Sequence, residues 1–152
     1  MNRRQKKLRS NHSAEDFGLK PLASDDDLFR WFLLVYLLAK PIQSVVAVKT
    51  WRVFMENKLD NPWAILSLPE RQLVAYLHEG KYTRYQNIMA RSLRICMERL
   101  LREYDGSLMY LMSIVEDEAG LVKELQKLHG VGPKTAEIFM RETEEYFAER
   151  ME

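Results

Sequence analysis

Apolar residues recur three and four positions apart through most of the chain, and no stretch alternates with the two-residue period of a strand. The pattern predicts an all-α fold, a compact bundle of about six to eight helices. Residues 24–27 start the first helix, with the Ser24 hydroxyl as a cap and acids at the positive dipole end. The stretch over about 26–40 is hydrophobic nearly all round and reads as a central core helix. Pro41 stops it, because a proline ring disfavours helical backbone in the residue before it. Val45, Val48, Trp51 and Met55 mark a second helix over about 44–57, with Ser44 as its cap. Asp60-Asn61-Pro62 turns the chain, and short helices are expected over about 62–66 and 69–78, the latter ended by Glu79-Gly80. A long helix over about 85–104 places Tyr85, Met89, Ser92, Leu93, Cys96 and Leu100 on one face. Arg84, Arg91 and Arg102 form a stripe on the opposite face, and Asp105-Gly106 closes the helix. Further helices are expected over about 108–115, 120–128 and 133–149. Trp31, Trp51 and Trp63 are expected as core anchors. Residues 1–23 read as a flexible basic arm ahead of a single helical domain over 24–152.

Composition narrows the chemistry. The 152 residues suffice for one domain with a sizeable core. A single cysteine, Cys96, excludes an internal disulfide framework and any four-thiolate zinc or iron–sulfur site, and it fits a reducing compartment. His12, His78 and His129 have no metal-ligand spacing, so no metal is expected from them. The apolar run 32–39 is too short to span a bilayer, and the basic start is not followed by an apolar stretch of the secretory kind. No membrane association is expected, and a cytoplasmic or nucleoid-associated location is.

Net charge is only +1, but its distribution is uneven. Arg3, Arg4, Lys6, Lys7 and Arg9 crowd the first ten residues, as a disordered tail or a non-specific DNA clamp. Lys81, Arg84, Arg91, Arg94, Arg99 and Arg102 face only Glu98 and Glu103 in their segment. Glu142, Glu144, Glu145, Glu149 and Glu152 make the end acidic, a surface that could meet a protein partner.

The most informative run is LQKLHGVGPKTAEIFM, residues 125–140. It joins an apolar helix end, a Gly-Val-Gly turn and a new helix start. Gly130 and Gly132 permit positive φ and close backbone approach, so amides in the turn can face a phosphate. Pro133 suits the first helical position, and the helix presents its positive dipole end to the same anion. Lys134 and Thr135 add a cation and a hydroxyl, and His129 lies just ahead of the turn. Leu125, Leu128, Val131, Ala136, Ile138 and Phe139 are expected to pack the two helices together.

With that run on the page, the chain resembles the endonuclease III-like superfamily of helix-hairpin-helix DNA glycosylases over about 26–148, with the hairpin at about 120–149. The runs 32–39 and 45–54 look like its first two core helices, and Gly80-Lys81-Tyr82-Thr83-Arg84 with Asn87-Ile88 looks like its Gly-aromatic turn and next helix. The resemblance implies DNA repair by base excision, with the target base flipped out of the duplex. It implies sequence-independent DNA contacts from His129, Gly130, Val131, Gly132, Lys134 and Thr135; Lys81, Arg84 and Arg91 join these if the basic stripe is a phosphate track, the other reading of the stripe being a solvated face. Lys134 matches the lysine that forms a Schiff base in bifunctional members; the other reading of Lys134 is a phosphate contact. A monovalent cation on the hairpin carbonyls is allowed, and no iron–sulfur cluster is implied. The chain departs from the family pattern in three places. The Val-Asp-Thr-His-like string carrying the assisting aspartate is not found, nor is the cysteine-rich loop. The polar residue expected after the first core helix falls near Pro41, with Gln43 the nearest candidate. Two classes of function follow: a reduced DNA glycosylase or abasic-site lyase using Lys134, or a non-enzymatic DNA-docking or scaffold subunit. A pure protein-interaction domain is the third reading.

Overall fold

The computed structural model describes residues 13–150, which are helical with no strand. After a 3-10 turn at Ala14–Phe17 come α1 (Asp25–Leu38), α2 (Ser44–Glu56), α3 (Pro62–Ser67), α4 (Glu70–Glu79), α5 (Gln86–Tyr104), α6 (Leu108–Ser113), α7 (Glu118–Leu125), α8 (Pro133–Met140) and α9 (Glu144–Arg150). Local chemistry sets most starts. The Ser24 hydroxyl accepts from the Asp27 amide at 3.1 Å, and the Asn61 side chain accepts from Ala64 at 2.8 Å with Pro62 at the first position. Ser107 and Asp117 cap α6 and α7 in the same way.

Helix α1 is the axis of the fold. From Leu28 to Leu38 every residue but Arg30 is buried. Arg30 binds Asp27 and Asp60 at 2.7 and 3.0 Å. Helices α2, α6 and α8 pack on α1, and α3 and α4 pack on α5. Two indoles fix the geometry: Trp31 Nε1 donates to the Phe139 carbonyl at 3.2 Å and Trp51 Nε1 to that of Arg30 at 2.9 Å. Among the described residues no helix is long and apolar enough to cross a membrane.

Four expectations need correction. Residues 13–23 belong to the body: Ala14 and Leu19 are buried and the Phe17 ring meets Trp51 edge-on at 5.7 Å, while residues 1–12 lie outside the described part. Ser44 is the first residue of α2, and Gln43 precedes it without a side-chain capping bond. The helix expected over 133–149 breaks at 141–143, where successive amides bond three residues back. The break turns α9 onto the body: Phe147 becomes buried, and Arg150 donates to the carbonyls of Met112 and Val115 at 3.3 and 2.8 Å. Trp63 is no core anchor, being 57% exposed at the second position of α3.

Candidate nucleic-acid interface

The Gly-Val-Gly turn is fixed from below. Leu125, Leu128, Val131, Ala136, Ile138 and Phe139 are all buried, so α7 and α8 share one apolar seam. Gly130 adopts φ 82°, and its carbonyl accepts from Lys40 Nζ at 2.5 Å. Tyr36 Oη donates to the His129 carbonyl at 2.9 Å and lies 2.5 Å from Ser92 Oγ. Desolvation pushes the Tyr36 phenol far above its ordinary range. Gly132 differs from Gly130: its φ is −104°, extended backbone open to any residue, so the expectation of positive φ there is not met.

Above the turn, donors are left over. Pro133 opens α8, and the first amide to bond back is Ala136, to the Gly132 carbonyl at 3.1 Å. The amides of Gly132, Lys134 and Thr135 have no partner among the described residues. Lys134 and His129 are exposed beside them. Thr135 is only 3% exposed and offers little surface beside them. Val131 likewise offers backbone only, and its amide donates within the turn to Leu128 at 3.1 Å.

Lys40 connects this turn to a second feature. The residues after it, Pro41–Val46, form one wall of a cleft of about 670 Å³ whose other wall is Lys81–Arg84. The close approach of α2 and α4 behind the cleft depends on Gly80, where an added Cβ would lie 2.4 Å from Thr50 Oγ1. Gln43 lines the cleft, as do Lys81 and Arg84. Tyr82 is buried there, its phenol pushed up to about 12 by desolvation. Tyr85 stands out at φ 62° and 50% exposure, with the Arg84 guanidinium 5.0 Å above its ring.

The arginines of the stripe are exposed but carry partners. Arg84 precedes α5 and lies in the turn, off the helix face. Arg91 pairs with Glu70 at 3.4 Å, Arg99 with Glu103 at 2.9 Å, and Arg102 with Glu98 at 3.3 Å. Arg94 turns inward to the carbonyls of Leu66 and Leu68. What remains is an edge built from the turn, Lys40, Lys81 and Arg84. Sequence reasoning missed Tyr36 and Lys40, whose one signal was a polar i, i+4 pair at the end of an apolar helix.

Among the described residues Lys134 has no ion-pair partner. It lies in the walls of neither the 670 Å³ cleft nor the 330 Å³ hollow between Val122 and Glu144. Glu137 is exposed, and Glu142 accepts from the Ala14 amide at 2.8 Å on another part of the surface. Among the described residues no three His, Cys, Asp or Glu side chains converge as metal ligands. Comparison with protein-family models, curated proteins and solved structures gives no match for the chain.

Proposed function

We propose that the chain is a DNA-binding protein of the endonuclease III-like kind that holds duplex backbone without reading sequence. The observation that carries this is the pair of unpartnered amides at Gly132 and Lys134, at a helix start flanked by the Lys134 cation. Backbone amides and lysines recognise phosphate and leave base edges unread. Lys81 and Arg84 across the neighbouring cleft extend the basic edge. Such a protein works in the cytoplasm or on the nucleoid, and the acidic face of α9 leaves a surface for a protein partner.

Lys134 serves here as a phosphate contact. A nucleophilic amine needs desolvated or cationic surroundings and a nearby acid, and Lys134 is exposed, with no ion-pair partner among the described residues. A docking or scaffold role is therefore favoured over abasic-site lyase chemistry. The test is duplex binding by anisotropy across a salt series. Gly132→Asp introduces an anion where a Cβ meets nothing within 4 Å, so its effect is electrostatic rather than steric. Affinity should fall at least tenfold, about 1.4 kcal/mol, with the helical circular dichroism retained; unchanged affinity at low salt would remove the turn as the binding site. Lys134→Gln should weaken binding by about 1–3 kcal/mol, as for one charge-assisted hydrogen bond. Neither protein should yield a borohydride-trapped adduct on abasic-site DNA. A wild-type adduct that vanishes in Lys134→Gln would restore the lyase reading.

A further inference from the structure

Helices α7 and α9 leave a hollow of about 490 Å³ between them, with a lining of two kinds. Ala119, Phe147 and Ala148 are apolar, and Asp117, Glu118 and Glu144 are acidic. No basic residue among the described ones lines it. None of the three carboxylates forms an ion pair with a described residue. Asp117 caps α7 through the Gly120 amide at 2.8 Å, whereas Glu118 and Glu144 stand exposed. Like charges around one hollow repel one another and gain from an incoming cation. The chain carries a matching segment in residues 1–12, outside the described part. Arg3, Arg4, Lys6, Lys7 and Arg9 have no acid among them, and Leu8 stands between Lys7 and Arg9. The path between the two is short. The described chain opens at Ser13, and the Ala14 amide donates to Glu142 at 2.8 Å. Glu142 lies two residues ahead of Glu144, so the segment leaves the body beside the hollow. From Ser13 back to Lys7 an extended chain reaches up to about 20 Å.

We propose that the hollow between α7 and α9 is the docking site of the chain's own basic segment, residues 3–9. Leu8 meets the apolar lining, and the flanking cations meet Asp117, Glu118 and Glu144. Lysine and arginine suit such a mixed surface, because their methylene stems pack on apolar groups while the charged head reaches a carboxylate. Glu145 and Glu149 line neither this hollow nor the neighbouring one of 330 Å³, so they stay open to the protein partner considered above. The docking does not rest on the backbone-binding reading. If that reading holds as well, duplex phosphate competes with the hollow for the same cations.

The test is zero-length carbodiimide coupling of the full chain, which joins a lysine amine to a carboxylate in contact with it, read by peptide mass spectrometry. Lys6 and Lys7 should couple chiefly to Glu118 and Glu144. Coupling should fade between about 0.01 M and about 1 M salt, as the screening length shrinks from about 30 to about 3 Å. Glu56 and Glu79 are equally exposed and unpaired among the described residues, on α2 and α4. Coupling spread evenly over them would overturn the proposal. In a mixture of isotope-labelled and unlabelled chain, each cross-link should carry one label state. Mixed cross-links would put the segment on a second copy and overturn it too. Acetylation of Lys6 and Lys7 should quicken about two- to fivefold in the double variant Glu118→Gln, Glu144→Gln, as for loss of exposed ion pairs. An unchanged rate in a variant with full helical signal would count against docking. If that variant does not fold, the wild-type coupling pattern decides alone. Docking as expected, in a chain that binds no duplex, would sink the backbone-binding reading and leave this one standing.

Discussion

A methyl group added at Gly130 would lie 2.1 Å from Tyr36 Oη, on a residue already at φ 82°. Left-handed backbone alone costs a non-glycine residue about 1–2 kcal/mol. The contact adds to that cost, because Tyr36 is tied at once to His129 and Ser92 and has no room to yield. Gly130→Ala should therefore lower stability by at least about 2 kcal/mol in urea titration. Gly132→Ala should shift stability by less than about 0.5 kcal/mol, since φ −104° suits alanine and a Cβ there meets open space. Equal losses at the two positions would mean that the turn is not pinned by Tyr36. The two glycines are alike in the string and differ only in what lies beneath each, so no reading of the motif separates them. The same holds for Thr135: its place in the first turn of α8 was legible, but which way that turn faces depends on how α8 docks on α1.

At the scale of elements, α5 and α7 are joined by one hydrogen bond with a pH signature. Tyr104 Oη donates to Glu124 at 2.7 Å, and Lys127 reaches the other carboxylate oxygen at 3.0 Å. The tyrosine hydrogen bond above all, with help from Lys127, holds the Glu124 carboxyl below the usual carboxylate range. A carboxyl depressed in the folded state adds stability that is fully present above its unfolded value of about 4.3 and is lost as pH falls through the folded value. Tyr104→Phe should thus be less stable than wild type at neutral pH, and the gap should narrow once pH drops below about 4. Urea midpoints from pH 7 to pH 3 measure it, and a gap independent of pH would place the cost in packing alone. Helix ends show how far sequence reached at this scale. Caps at Ser24, Ser107 and Asp117 sit within their own turns, whereas the break at 141–143 goes with a long-range contact, Arg150 reaching the carbonyls of Met112 and Val115.

For the whole molecule, Cys96 reports on integrity. It is wholly buried on the inner face of α5, and burial pushes its thiol up to about 12. Thiolate is the reactive form, so a thiol reagent at neutral pH should reach Cys96 only through opening of the core. Labelling should be slow in native buffer and should accelerate with urea in step with loss of helical signal. Fast labelling of the native protein would mean that α5 separates from α1 locally, without global unfolding.

The sequence by itself determined the helical class, nearly every helix start, the apolar seam between α7 and α8 and the centrality of α1. These follow from periodicity, capping residues and proline or glycine stops, all of which act within a few residues of the chain. Only the tertiary structure decided what the surface offers. Trp63 was read as core from its type, yet it stays half in solvent, with its ring edge over Gly106. Arg91 of α5 finds its carboxylate, Glu70, on α4, 21 residues earlier in the chain. Lys40 looked like the end of a helix, and became part of the candidate site only because α1 delivers it to a carbonyl 90 residues later in the chain. Partners so distant in sequence leave no periodic trace, since their spacing is set by packing and not by the pitch of any one helix.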